Sequence, residues 1–236
     1  LLPTILAIDT AADVCSVALA RAGSITERAE TVGHRHSERV LPLVEALLEE
    51  AAIELRDCDA LAFGAGPGAF TGLRIACGVV QGLAYGAGKP VVAVGNLEAL
   101  AQAAFDRLPQ ATRVLCANDA RMREAYVAVY ERGDEGPGEA SAPALVAAAD
   151  LGALVERWGP DAVVGDAPTA FAAELATLVP TARLVALRAT AASIAVCAVR
   201  CWHGGRCTAP ALAAPLYVRD HVALTIDERR ARGMVR

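Results

Sequence analysis

Several groups of residues in this sequence have types and spacings that could do chemistry. Gly64, Gly66, Gly68 and Gly72 punctuate the run LAFGAGPGAFTGLR, residues 61–74, where an apolar strand-like stretch turns into a helix-like one. Such a junction either seats a phosphate on the helix N-terminus, where free N–H groups and the macrodipole favour an anion, or lets another backbone come close. As a phosphate loop it is incomplete. A Walker loop ends in Gly-Lys-Ser/Thr and a dinucleotide fingerprint spaces its glycines G-x-G-x-x-G, whereas here Arg74 is the only nearby cation. If a nucleotide were held, Asp9, Thr10, Gly66 and Gly68 would hold it. His34 and His36 form an H-x-H pair that could take a metal with Asp9 or Asp13, but without the i, i+4 spacing of zinc peptidases. Cys197, Cys201, His203 and Cys207 are ligand types at an uncommon zinc spacing, and no metal site is expected. Ser37 and Thr71 read as helix caps, and no residue is assigned a catalytic role.

The elements around these residues alternate. Strands are expected at Ile5–Thr10, Val14–Ala20 and Ile25–Ala29, then helix Ser37–Ala52, strand Ala60–Gly64, helix Thr71–Gly86 and strand Val91–Val94. Helix Ser37–Ala52 carries Val40, Leu41, Val44, Leu47, Leu48 and Ala51 on one stripe, with Pro42 predicting a late start or a kink. In the second helix Gly78, Gly82 and Gly86 recur every fourth residue, which aligns them in one row. Each lowers helix propensity by about 1 kcal/mol relative to Ala, so something is expected to pack on that row: either the chain's own sheet or a helix of another chain. The order then repeats. Cys116–Asp119 ends a strand, Glu124–Tyr130 alternates like its partner, and Asp119 stands where Asp9 stood. A loop at Gly133–Gly138, helix Asp150–Arg157, strand Ala162–Gly165, helix Thr169–Leu178, strand Arg183–Leu187 and helix Thr190–Trp202 follow. This predicts an α/β protein with the duplicated ribonuclease-H-like plan of the actin-like ATPases (ASKHA), in two similar subdomains: 1–105, 106–210, and a segment 211–236 returning to the first. The turns after Asp9 and Asp119 contain no glycine, and Gly165-Asp166-Ala167-Pro168 replaces the Gly-Gly turn of an adenosine site. That argues for a fold kept for shape.

Composition narrows the function classes. A net charge of -5 and a hydrophobic content of 55% describe a globular chain and disfavour a stand-alone nucleic-acid binder. The seven cysteines form no regular framework and no secretory signal is recognisable, so a reducing, cytosolic compartment without membrane attachment is expected.

Taken together, Ile5–Thr10, Cys15–Leu19, His36–Pro42, the block Gly66-Pro67-Gly68-Ala69-Phe70-Thr71-Gly72-Leu73-Arg74, Asp119-Ala120-Arg121 and Pro215–Asp220 resemble the TsaB (YeaZ) family. The likeness runs over almost the whole chain and is weakest between about Gly133 and Ala211. It implies a bacterial subunit needed to make threonylcarbamoyladenosine in tRNA, one that binds and activates the transferase TsaD without being an enzyme itself. TsaE is the further partner, tRNA is reached through the complex, and a homodimer forms when TsaD is missing. No cofactor is implied for the isolated chain, with ATP or ADP a ligand of the assembled complex. The H-x3-H metal motif of the transferase has no counterpart in this sequence. The implied partner surface lies on the two N-terminal helices and comprises Ser37, Leu41, Val44, Leu48, Phe70, Thr71, Leu73, Arg74, Ile75, Gly78 and Gly82. The competing class is an ATP-dependent enzyme of the actin-like fold or a metallopeptidase using His34 and His36. The basic tail, Arg229, Arg230, Arg232 and Arg236, reads as a frayed solvated end.

Overall fold

Each half of the chain opens with the same clasp. Asp59 accepts a bond from the Thr4 N–H at 2.7 Å, and Asp161 accepts one from the Arg113 N–H at 2.9 Å. In return the Asp59 and Asp161 N–H groups donate to the carbonyls of Thr4 and Arg113 at 2.7 and 2.8 Å. The computed structural model describes residues 2–176 and 183–219; the tail arginines lie outside them. In the first half β1 (Ile5–Asp9), β2 (Val14–Arg21), β3 (Ser24–Thr31), β4 (Ala60–Gly66) and β5 (Val91–Gly95) form a sheet of order β3-β2-β1-β4-β5, with α1 (His36–Ala51) and α2 (Phe70–Ala87) between its strands and α3 (Asn96–Arg107) after them. In the second half β6 (Arg113–Arg121), β7 (Glu124–Gly133), β8 (Gly136–Ala147), β9 (Ala162–Gly165) and β10 (Leu184–Ala186) repeat that order as β10-β9-β6-β7-β8. The helices there are α4 (Leu151–Trp158), the short α5 (Ala167–Ala170) and α6 (Ala172–Ala176), and α7 (Ala191–His203). In both sheets the first three strands are antiparallel and the last two join in parallel, the duplicated plan expected from the sequence.

The register corrects one equivalence. Ile5 pairs with Ala60 and Val114 with Ala162, one residue past each clasp. Asp9 is Ile5 plus four and Asn118 is Val114 plus four, so the counterpart of Asp9 is Asn118, and Asp119 sits one step further, beside a bulge in the β6–β7 pairing.

The halves also exchange their last helices. One face of the first sheet buries Leu6, Ile8, Val17, Leu61 and Phe63 against Val40, Leu43, Val44 and Leu47 of α1 and Ala76 and Val80 of α2. Its other face, with Ile5, Ala7, Ala62 and Val94, is covered by Ile194, Ala195 and Ala198 of α7. The second sheet is covered on one side by α4, α5 and α6, through Leu151, Val155, Phe171 and Leu175, and on the other by Leu97, Leu100, Ala104 and Phe105 of α3. Helices α3 and α7 pack against each other in between. A division at 105/106 therefore cuts α3 two residues before its end at Arg107, and one at 210/211 cuts the 3-10 turn Pro210–Leu212.

Other departures have local causes. Helix α1 begins at His36, so Pro42 lies inside it rather than delaying its start; Pro42 and Glu38 are both exposed, which leaves the unbonded Glu38 carbonyl open to water. Strand β8, read as a loop at its start, contains Pro137 and Pro143. It is tolerated as an edge strand whose pairing to β7 shifts register twice. No helix among the described residues is long and apolar enough to cross a membrane.

Candidate functional site

The glycine junction is closed by backbone. Turn 10–13, between β1 and β2, lies directly on the start of α2. The Thr10 hydroxyl donates to the Gly72 carbonyl at 2.7 Å, and the Ala69 N–H donates to the Ala11 carbonyl at 2.8 Å. A Cβ on Gly72 would overlap the Thr10 carbonyl oxygen, and one on Gly68 would lie 2.8 Å from Ala11 Cβ. Gly66, at φ +122°, takes a conformation side chains avoid, and a Cβ there would sit 2.6 Å from the Leu216 carbonyl oxygen. Of the two readings of this junction, close backbone approach is the one built here.

Behind it sits a buried polar chain. Asn96 accepts from the Gly66 N–H at 2.7 Å and donates to Asp9 Oδ1 at 2.9 Å, and a Cβ on Gly64 would overlap that same carboxylate oxygen. The N–H groups of Gly66 and Ala69, which an anion would need, are thus already bonded. Asp9 is 2% exposed, and burial pushes its pKa up from 3.8 to about 6 although Asn96 and the Ala11 N–H pull the other way. Thr10 is fully buried. Asp9, Thr10, Gly66 and Gly68 are therefore brought together, but as the packing of the junction, and a buried carboxylate at its base opposes an anion.

The second half closes its counterpart differently. Asp166 accepts from the Asp119 N–H at 2.6 Å, Asp119 accepts from the Arg121 N–H at 2.7 Å, and burial raises the Asp166 carboxyl. Arg121, Met122 and Arg123 all have left-handed φ values, 66, 55 and 58°. Arg219 ties this turn to the C-terminal segment through the Ala120 carbonyl at 2.9 Å and Glu124 at 2.6 Å, while Arg188 pairs with Asp13 across the two halves.

The histidine pair separates. His36, the first residue of α1, is 7% exposed, meets the Ala12 backbone, and is held below its usual pKa chiefly by burial; His34 is exposed. Cys197 and Cys201 are buried under the first sheet, and burial pushes the Cys197 thiol up to about 12. Among the described residues no three His, Cys, Asp or Glu side chains converge where a metal could be held.

What remains as a site is the outer face of α1 and α2. Gly78, Gly82 and Gly86 are exposed, and among the described residues a Cβ on any of them would meet nothing within 4 Å, so the row does not pack on the chain's own sheet. Ser37, Leu41, Phe70, Thr71 and Arg74 share the exposed side, and Leu48 and Ile75 are half-buried. Val44 and Leu73 do not belong there. Both are buried, 3% and 2% exposed, because their helical positions turn them into the core. Nor do Ser37 and Thr71 cap their helices: each is the second helical residue, after Arg35 and Ala69 as N-caps. Sequence reasoning missed Tyr85, 81% exposed on the glycine stripe, and Leu212, Leu216 and Tyr217 beside α2. Tyr85 was legible, standing three residues after Gly82 on the same helix.

Comparison with known proteins gives this geometry a context. Residues 25–192 match the family model described as TsaD, tRNA N6-adenosine threonylcarbamoyltransferase. The Haemophilus influenzae protein named tRNA threonylcarbamoyladenosine biosynthesis protein TsaB is 49% identical over 123 residues, 52% of each chain. The chain spans about half the length of the curated relatives it matches. Two solved structures whose descriptions name Pseudomonas aeruginosa share the fold over more than nine-tenths of this chain. One, described as similar to peptidase YEAZ, has a TM-score of 0.82 at 36% identity and covers 92% of this chain and 100% of its own. The other, described as YeaZ, has a TM-score of 0.76 at 34% identity and covers 91% and 99%.

Gly72→Ala is expected to destabilise the chain by about 2 kcal/mol or more in urea unfolding, because backbone must move, whereas Gly82→Ala should stabilise it by about 0.5–1 kcal/mol. Asp9 binds a proton more tightly folded than unfolded, so its contribution is full below about 4 and is lost as pH rises through about 6. Relative to Asp9→Asn, the native chain should lose on the order of 3 kcal/mol between pH 4 and pH 7.5, measured by denaturant melts across that range.

Proposed function

Because the chain belongs to the TsaB (YeaZ) family, we propose that it serves tRNA threonylcarbamoyladenosine biosynthesis as a non-catalytic subunit that binds and activates the TsaD transferase through the outer face of α1 and α2. The observation that carries this is the open glycine row. Three glycines on an exposed helical stripe each forgo about 1 kcal/mol of helix propensity, and among the described residues a Cβ on any of them would meet nothing within 4 Å. Such a stripe lets a second helix come to short interaxial distance, and Leu41, Phe70 and Tyr85 flank it with exposed apolar surface.

A non-catalytic role is supported by the junction, where backbone and a buried carboxylate occupy the place of a phosphate cradle. On this reading tRNA is met through the complex rather than by the acidic chain alone, TsaE joins the assembly, and ATP or ADP binds there and not to the isolated subunit. The same face closes on a second copy when TsaD is absent, and the setting is cytoplasmic.

Gly82→Leu tests the assignment, since its side chain enters open space in the free chain. The variant is expected to keep the native melting temperature within a few degrees while losing about tenfold or more in calorimetric affinity for TsaD, with a matching loss of tRNA threonylcarbamoylation in the reconstituted reaction. Unchanged affinity would remove the face from the mechanism. Submicromolar binding of Mg-ATP to the isolated chain would remove the non-catalytic role.

A further inference from the structure

Helices α1 and α2 are not alone on their side of the first sheet. α1 lies over β2 and β3 and α2 over β1 and β4, while the segment 207–217 returns past β5, where Thr208 pairs with Val91. This strap runs along α2 and is fastened at every few residues. The Ala213 carbonyl accepts from Gln81 at 2.9 Å and from the Cys77 thiol at 3.5 Å, and the Leu216 N–H donates to the Ala65 carbonyl at 2.7 Å. Ala213 is buried, yet Leu212, Leu216 and Tyr217 remain 75, 52 and 48% exposed. Fixing the backbone so firmly while leaving the large side chains outward is not what a segment that merely covers the core requires.

At the N-terminal end of α2 the strap and the helix build one cluster. The Phe70 and Tyr217 rings lie 5.6 Å apart, tilted by 37°, and the Arg74 guanidinium sits 4.0 Å over the Phe70 ring while its Nε donates to the Tyr217 hydroxyl at 3.2 Å. Phe70 is itself 51% exposed. Aromatic rings and arginine are the residue types that dominate interface energetics, and rings held before binding lose little conformational freedom on contact.

Area points the same way. An 18-residue helix is about 27 Å long, and two such helices side by side at about 10 Å offer a footprint of roughly 500 Å². An interface of standard size buries about 800 Å² of accessible surface on each partner, and a third row beside the two helices widens the footprint available to it by about half. We infer that the strap is the third ridge of the partner-binding face, with Phe70, Arg74 and Tyr217 as its anchor, and that its occupant is the same TsaD chain that covers the glycine row. This rests on the function proposed above.

The experiment compares Tyr217→Ala, Tyr217→Phe, Leu212→Glu and Gly82→Leu in the full chain, by calorimetry against TsaD and by sedimentation of the chain alone. Tyr217→Ala is expected to weaken TsaD binding about tenfold or more, and Tyr217→Phe, which keeps the ring, by less than about threefold. Leu212→Glu touches little within the chain and should also weaken binding, which keeps the test open if Tyr217→Ala fails to fold. If Gly82→Leu loses affinity while the strap variants keep it, the strap is excluded and the helix face stands. If none of them changes affinity, both assignments fall. A change in self-association with unaltered TsaD affinity would overturn the occupant named here.

Discussion

The structure turns on a backbone-to-backbone contact that only missing Cβ atoms permit. Residues 10 and 11 lie against Gly68 and Gly72 so closely that the turn and the start of α2 share two hydrogen bonds, one between backbones and one from the Thr10 hydroxyl. The Asp13 carbonyl of the same turn accepts from the Val32 N–H at 3.1 Å, four residues before α1 begins, and Asp13 pairs with Arg188 of the second half. One short segment thereby sets the origins of both outward helices. Helix α1 has no side-chain cap and α2 begins without one, so their first turns are placed by this contact rather than by local capping.

Duplication explains the architecture but not the symmetry of its use. Both halves keep the Asp clasp and the strand order, yet among the described residues the first carries the two long helices α1 and α2, where the second has α4, α5 and α6. The divergence is visible at the turns. The first half buries Asp9 under Asn96, and the second strings Arg121, Met122 and Arg123 through left-handed backbone and bonds Asp166 to Asp119. The two equivalent turns are thus closed by different sets of the chain's own groups.

How much was legible beforehand follows from which forces write themselves into sequence. Apolar periodicity and the glycine punctuation announce β1, β4, α1 and α2, because burial and left-handed or crowded backbone restrict residue type strongly. The glycine row was legible as a puzzle, and only coordinates decide that it faces away from the sheet. Val44 and Leu73 were misplaced because an apolar residue fits a core and an interface equally, and a shift of one helical position separates them. Strand β8 is hidden by its prolines, which an edge tolerates, and α3 by the absence of a side-chain cap where it follows β5 directly. The strap is legible as a motif but not as surface, since nothing in Pro215-Leu216-Tyr217 says which side of the chain will meet α2.

The exchange of α3 and α7 has a consequence for how the protein is made. Synthesis completes the first sheet at Gly95, but the helix that covers its inner face begins only at Ala191. At a translation rate of about 5–20 residues per second, the apolar row of Ile5, Ala7, Ala62 and Val94 waits about 5–20 s for its cover. Neither half matures on its own schedule: α3 leaves the ribosome before the sheet it serves, and α7 after. When α7 emerges the second sheet already has α3 on one side and α4 to α6 on the other, so the docking of α7 covers the face of the first sheet that is still open.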